Sequence, residues 1–551
     1  MKKTILSLVC LASFALSEAQ STEEALRLSL NRPAGTARNM ALSGAMGALG
    51  GDYSSLLTNP AGIAVYRSSE FTFTPSLHLN NSSTEFYRLG SNDDRIGVPF
   101  QQIAFVGTFK PVREAESGLI STHFGIGYNR TNSFKRNTFI QGGGLQSSLL
   151  DEFVAQTHAG LNDRFYNGMA MDALLIRNYE LPNGQPVYLH DFEYYEDPDT
   201  DAVQFGAING LDHSRLISER GNAGDFSLSG GANFSNRFYL GGSLNISTFD
   251  YESNLTHQET LNGGLDGLSD YYIYYRVLDQ WEARENFTFT EDLKTSGIGI
   301  NLKVGAIFKP TASLRIGAAF HTPTFFSVDE EYATAMSSKY YELGMENGIP
   351  VMYNDWGVDS KEAFGEFSYK LRTPLKGIGS LAYTFGNKGL ISLDYEYTDY
   401  SSMQYRADNS DIGEKQYFSA QNDLIKDTFK ATHNLHIGAE LRPTEVFTLR
   451  GGLGLMQSPY HKQFVKEESN QDEEPRLIQE DHFKSDDLYR TFSGGFGYRM
   501  NNMFIDFAYM LRQEKTKYSL YEAAPYMGGT LEPADITNNN HQVALTLGWR
   551  F

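Results

Sequence analysis

The chain has 551 residues, a formal net charge of −21 and a mean hydropathy of −0.39. So acidic a chain repels nucleic acid. Its single cysteine, Cys10, excludes a disulfide framework and a thiolate metal site. No apolar run after the amino-terminus reaches the roughly 20 residues of a membrane-spanning helix. That criterion does not see β-barrels, whose alternating faces average to a polar mean.

Met1 to Ala19 reads as a secretory signal peptide. Lys2 and Lys3 precede the apolar stretch Ile5 to Leu16, and Ser17-Glu18-Ala19 fits a small-x-small cleavage site before Gln20. Cys10 follows Val9 inside the apolar run, which argues against lipidation. Residues 20–69 do not look like a strand. The stretch Gly35 to Tyr66 is rich in Gly, Ala and Ser and too small to form a core of its own. It stands where a barrel needs a plug.

From residue 70 on, apolar residues recur at every second position. Ile298, Ile300, Leu302, Val304, Ala306 and Phe308 share one face, and after Lys309-Pro310-Thr311 the face resumes at Leu314, Ile316, Ala318 and Phe320. The last strand alternates Val543, Leu545, Leu547, Trp549 and Phe551 with Gln542, Ala544, Thr546, Gly548 and Arg550. Such segments lie near 70–79, 101–110, 117–129, 223–234, 237–251, 296–308, 312–328, 366–385, 389–400, 430–442, 446–458, 488–500, 503–513 and 541–551. Pro374 is a candidate break in the eighth.

Tight connections near Pro111, Ser235-Asn236, Pro310, Asn387-Lys388, Pro443 and Asn501-Asn502 alternate with long ones at about 80–100, 130–222, 252–295, 329–365, 401–429, 459–487 and 514–540. Short inner turns, long outer loops and an even strand number are the pattern of an outer-membrane barrel. The fold expected is therefore all-β, a 14-stranded antiparallel transmembrane barrel over 70–551, in the outer membrane of a Gram-negative cell.

If the apolar face meets lipid, the other face lines the lumen. Lys303, Arg315, Asp394, Glu396, Glu440, Arg450, Arg499, Asp506, Arg512, His123, His321 and His436 are expected there, mostly pairing with one another or with a plug. Gly pairs at 230–231, 241–242, 451–452 and 494–495 leave room for close approach of backbone or ligand. Within the 130–222 connection, Leu145 to Arg177 reads as partly helical, with Leu149, Phe153 and Leu161 among its apolar positions. Asp197 to Asp201 mimics the start of a calcium loop. Ala202 and Ile208 stand where an EF-hand needs Gly and Glu. Tyr460 to Asp487 carries nine acidic and four basic residues and reads as a solvated outer loop. His433 and His436 do not share a helical face and form no zinc motif. No spacing singles out a catalytic triad. No enzyme activity, cofactor or metal is expected.

The small-residue run Ala41 to Gly51, Asp52 and above all Asn59-Pro60-Ala61-Gly62 resemble the amino-terminal hatch of the FadL family of outer-membrane transporters for long-chain fatty acids and other hydrophobic compounds. The resemblance implies a lumen plugged by residues 20–69. It also implies a hydrophobic ligand held between hatch and wall, passive ligand-gated diffusion, and release through a gap in the wall. Asn59, Pro60 and Ala61 are the positions carried over. Phe325, Met456 and Met510 are the apolar inward candidates for the ligand site, with Arg450 and then Lys303 as carboxylate anchors. Strand 117–129 has no proline to mark a wall kink. The expected partners are a hydrophobic small molecule, outer-membrane lipid and lipopolysaccharide, and the barrel assembly machinery during biogenesis. The alternative is a FadL-like docking protein for secreted or surface proteins.

Overall fold

The computed structural model describes residues 21–30, 32–111, 117–160, 163–180, 186–190, 192, 195–196, 203–204, 210–262, 273–275, 280–346, 349–408, 411–461, 483–484, 488–521 and 531–551. The expected signal peptide, the Asp197 to Asp201 stretch, Leu161 and most of the acidic 460–487 segment lie outside these residues.

Fourteen antiparallel wall strands close into a barrel. They are β1 (Glu70–Phe86), β2 (Leu89–Gly97 and Phe100–Phe109), β3 (Leu119–Ser133 and Arg136–Leu145), β4 (Leu211–Phe234) and β5 (Phe238–Leu261). Next come β6 (Gln280–Phe308), β7 (Leu314–His321 and Phe325–Glu346), β8 (Ala363–Arg372 and Lys376–Thr384), β9 (Gly389–Asp399) and β10 (Ala431–Leu441). The last four are β11 (Phe447–Met456), β12 (Tyr489–Met500), β13 (Met503–Tyr518) and β14 (Ala534–Arg550). Closure is direct: β14 pairs with β1 from Glu70↔Arg550 to Glu85↔Asp535. No strand edge is then left for lipid to satisfy.

The alternation follows the membrane. Phe105, Ile126, Leu228, Leu244 and Leu302 stand opposite one another across β2 to β6, all exposed on the outside. Leu381, Leu393, Ile437, Leu453 and Phe492 continue the row across β8 to β12. A closed ring of apolar side chains facing outward is stable only in hydrocarbon, so this is an outer-membrane barrel. The inner turns are tight. At Ser235 and Asn236 both φ values are positive (55° and 53°), the geometry that matches strand twist in a two-residue hairpin.

The outer half departs from the sequence expectation. Several connections expected as long loops are strand. Residues 80–100 form a continued β1–β2 hairpin turning at Tyr87 and Arg88, both at positive φ. β6 alone runs 29 residues, where about 9–11 cross the hydrocarbon. Outside the membrane both faces of a strand can be polar: Thr256, Gln258, Asp292, Lys294, Asp329 and Glu331 all point to solvent there. The lipid-driven alternation that marked the strands is therefore lost.

Pro374 does split β8, at residues 373–375, and β7 has a matching break at 322–324. The two breaks are stitched by Thr373 N–H donating to the Thr324 carbonyl at 3.0 Å. The β7 break shifts the alternation by one residue. Phe320 points out, and beyond the break it is Phe325 that points out, 59% exposed, while Phe326 packs inward against Phe249. The expectation that Phe325 faces the lumen is corrected accordingly.

Inside the barrel lie helix α1 (Thr22–Ser29), helix α2 (Ala37–Ala41) and two 3-10 turns, Tyr53–Leu57 and Pro60–Val65. The outer end is filled by helices α3 (Leu149–His158) and α4 (Asn167–Asp172), both from the 130–222 insertion. They form one apolar cluster with Phe287, Phe289, Tyr332 and Tyr521 of the wall and its outer loop. Helix α5 (Ile412–Thr428) follows β9 and packs Phe418 on Tyr369 and Tyr405, beside Ala25 and Leu26 of α1.

Candidate functional site

The lower lumen is organised by the Asn59-Pro60-Ala61 turn. Asn59 caps the 3-10 turn that follows it, its Oδ1 accepting from Ala61 N–H at 3.0 Å. Its Nδ2 donates to the Gly47 carbonyl at 2.7 Å and to the Ala306 carbonyl of β6 at 3.1 Å. One buried amide thus ties two parts of the amino-terminal segment to the wall. Pro60 suits the first position of a helical turn because its missing N–H would find no partner there.

The wall beneath is cut back to fit. Gly231, Gly241 and Gly305 are neighbours across β4, β5 and β6. A Cβ on Gly305 would stand 2.0 Å from Asn59 Oδ1, and one on Gly241 2.3 Å from the Pro60 carbonyl. On Gly231 it would meet Ile63 at 2.5 Å. These contacts need bare backbone. The Gly pairs at 230–231 and 241–242 thus each supply one inward glycine.

Contacts run round the whole barrel. Ala37 N–H donates to Thr546 of β14, Gly47 N–H to Asp394 of β9, and Tyr53 O–H to the Ser227 carbonyl of β4. Arg315 of β7 donates to the Leu49 carbonyl at 2.8 Å. His321 and His436 meet the carbonyls of Thr58 and Ser43. At the inner end Arg38 reaches Glu440 at 2.6 Å, and Arg450 joins Glu440 to Asp506 at 3.5 and 2.6 Å. Asp52 accepts from the Thr36 hydroxyl and from Ser54 N–H, each at 2.8 Å.

The expected site residues separate into groups. Asn59, Pro60 and Ala61 are buried together at the glycine patch. Arg450 is already clamped between two protein carboxylates. Lys303 pairs with Asp225 at 2.9 Å and lines a small cavity of about 40 Å³ with His321, Thr322, Thr324 and Lys376. Met510 is buried between the wall and α2, against Met40 and Ala41. Met456 is buried in β11. Phe325 faces lipid. Of the other lumen candidates, Arg499 is exposed at the inner rim.

Sequence reasoning missed a seam in the wall. β2 and β3 pair only from Gln102↔Asn129 to Phe109↔Thr122. Above that, among the described residues, no backbone ladder joins Leu89–Gly97 to Arg136–Leu145. Side chains bridge instead: Ser91 Oγ donates to the Phe139 carbonyl, and Asn137 Nδ2 to Asp93 Oδ1 at 3.2 Å. At the foot of the seam Val98 is 80% exposed, beside Pro99.

A cavity of about 200 Å³ opens there, lined by Arg95, Val98, Pro99, Arg130, Lys135 and Gly221. A deeper cavity of about 130 Å³ shares Asn80, Ser133, Lys135 and Asn540 with it and reaches Arg27, Arg136 and Arg512. The lining is polar and rich in cations and includes none of the apolar candidates Phe325, Met456 and Met510. β3 is interrupted at Phe134 and Lys135 without a proline. Gly221 of β4 sits at φ 122°, where a Cβ would strike the Asp250 carbonyl at 2.2 Å, and its carbonyl accepts from Phe134 N–H at the break in β3.

No protein-family model matches the chain, and no curated protein does. Solved structures are similar to it along nearly their whole length. A Pseudomonas aeruginosa FadL homologue is 15% identical with a TM-score of 0.48, covering 95% of this chain and 100% of the other. The Pseudomonas putida toluene transporter TodX is 11% identical with a TM-score of 0.47, over 95% and 99%. The Ralstonia pickettii toluene transporter TbuX is 14% identical with a TM-score of 0.46, over 95% and 99%. This chain's own strand pairing and closure make it a closed fourteen-stranded antiparallel barrel. Identities this low carry neither ligand nor route from those proteins to this one.

Proposed function

We propose that the barrel passes hydrophobic small molecules with a polar or anionic head, such as long-chain fatty acids, by passive ligand-gated diffusion. In this reading residues 20–69 act as a hatch, and the ligand leaves sideways at the seam between β2 and β3. The seam carries the reading. The lumen is filled at its inner end by the amino-terminal segment and at its outer end by α3 and α4. The cavity foot at Val98 and Pro99 lies just beyond the apolar ring, where an amphiphile can slide its tail into the bilayer. Arg95, Arg130 and Lys135 provide donors for its head.

Lys303 is the polar anchor favoured inside, since it lines a cavity. Arg450 is better read as holding the inner seal, because a ligand there would have to displace Asp506 or Glu440. Met456 and Met510 remain candidates for apolar contact, reached only if the hatch shifts. Binding that favours the shifted hatch suffices to drive the cycle, without nucleotide or covalent chemistry.

The test closes the seam. The only cysteine, Cys10, lies in the expected signal peptide, so Gly97→Cys with Lys135→Cys supplies a unique pair for a short cross-linker that joins each thiol through a disulfide. A Cβ on Gly97 would lie 3.2 Å from the Lys135 side chain. Uptake of labelled oleate should fall on cross-linking and return on reduction. Undiminished uptake through the closed seam would refute lateral release. If no hydrophobic compound is taken up and a secreted protein co-purifies, the docking alternative replaces transport.

A further inference from the structure

Above the membrane, on the inner face of β4 and β5, three potential ligands meet. His213 stands directly across from Glu259, and His257 lies two residues before Glu259 on the same face. All three side chains are fully buried, and one potential ligand atom of each falls within 4.8 Å of the others. Glu259 Oε1 is 2.8 Å from His257 Nε2 and 3.4 Å from His213 Nδ1. Donor atoms held about 2.0–2.1 Å from a tetrahedral ion stand about 3.4 Å apart. The decisive oddity is His213. Neither of its ring nitrogens makes a well-formed hydrogen bond, with the Ser147 backbone and Glu259 Oε1, at 3.4 Å, as polar neighbours, although the ring is completely enclosed. Buried polar groups left in that state are costly and call for an explanation.

We propose that His213, His257 and Glu259 bind one divalent transition-metal ion of zinc's class. Three ligands drawn from two neighbouring strands leave a fourth position for water or another small ligand. Tyr521 packs its ring on both imidazoles and closes the site from the outer loop. The ion is tied to the outer cap. Glu259 Oε1 also accepts from Leu149 N–H at 2.7 Å, and Oε2 from the Ser148 hydroxyl at 2.5 Å, at the start of α3. Two rearrangements are required. The hydrogen bond between His257 Nε2 and Glu259 Oε1 opens from 2.8 Å to about 3.4 Å as both atoms turn to the ion. Arg215 Nε donates to His257 Nδ1 at 3.2 Å, and a metal on Nε2 moves the imidazole proton to Nδ1. That contact then opens, while the guanidinium keeps the Tyr518 hydroxyl and the Leu520 carbonyl.

The experiment is to refold the full chain in detergent with cobalt(II), monitoring folding by heat-modifiable migration and binding by visible ligand-field bands and elemental analysis. About one cobalt per folded chain is expected in the wild type and in Tyr521→Phe. A loss of about 10-fold or more in affinity is expected in His213→Ala and in Glu259→Gln. Chelation should also make α3 accessible to protease. A folded wild-type barrel without stoichiometric cobalt overturns the proposal whatever the variants do. So does a folded His213→Ala that binds as the wild type does.

Discussion

Asn59 concentrates three hydrogen bonds in one side chain, and two of them span separate parts of the molecule. Truncating it to alanine removes the donations that the Gly47 and Ala306 carbonyls receive from its amide. The expected cost is about 1–3 kcal/mol. It should be read as a lower unfolding midpoint together with a noisier, larger single-channel conductance. An unchanged midpoint would show that the amide is dispensable.

The β7 break gives a sharper contrast between neighbours. Phe326→Ala should cost roughly 3–5 kcal/mol, since it empties a packed site. Phe325→Ala should cost clearly less, because its ring loses mostly lipid contacts. On the same outer face, Leu302→Arg should cost about 2–4 kcal/mol near the bilayer midplane. Measured stabilities of the three variants in bilayers check all of these together. Which residues face lipid was legible from period two alone over most of the wall. It failed at Phe325 because the break at Thr322-Pro323-Thr324 interrupts the pleat and leaves the outward residues Phe320 and Phe325 five positions apart, an odd step that period two does not allow. The ion pairs of Arg450 and Lys303 were illegible for another reason. They depend on which strands stand side by side and in what register.

Among the elements, the amino-terminal segment and the cap are the parts a perturbation can remove without breaking the wall. Deleting residues 35–62 takes away the glycine-patch contacts and the Arg38–Glu440 pair but no strand. The barrel should still migrate as a folded species, with conductance raised; unchanged conductance would count against a plug.

The cap carries its own pH dependence. Burial by itself would raise the Asp151 carboxyl. The His190 hydrogen bond at 2.7 Å, the charge of that ring and the Ser148 N–H outweigh it and hold the group below its ordinary value of 3.8. An acid depressed in the folded state stabilises it above the unfolded pKa, and that contribution is lost as pH falls through the folded value. Protease resistance of α3 should therefore hold from neutral pH down to about 4 and fall below it. In Asp151→Asn the resistance should already be reduced at neutral pH. Resistance independent of both pH and substitution would sink this account. The helical character of this insertion could be read from Leu149 and Phe153. That it turns inward could not, because its partners Phe287, Phe289 and Tyr332 come from strands more than 100 residues away.

For the molecule as a whole, the sequence exposed those strands that lipid shapes and hid those that it does not. All fourteen alternating segments fall on wall strands. The outward extensions of β4 to β7 went unseen because water accepts polar residues on either face. The seam between β2 and β3 was hidden too, since a missing ladder leaves no compositional mark. The His213, His257 and Glu259 cluster was equally silent. Its members are 44 residues apart or more, except for the His257-x-Glu259 step, and only the β4–β5 register unites them.

The closure of β14 on β1 also bears on the order of assembly. Residues 21–66 precede the first wall strand in the chain, yet they touch strands from β2 to β14 and are surrounded by them. A ring sealed along fourteen residue pairs leaves such a segment only the two mouths of the barrel as an entrance. Before that final pairing the sheet is an open ribbon that can wrap around the segment, as a ship is built inside its bottle. A separately made peptide of residues 21–66 should accordingly restore the low conductance of a truncated barrel more slowly when added to the finished ring than when added before the sheet closes during refolding. Equal rates would show that the mouths admit it freely.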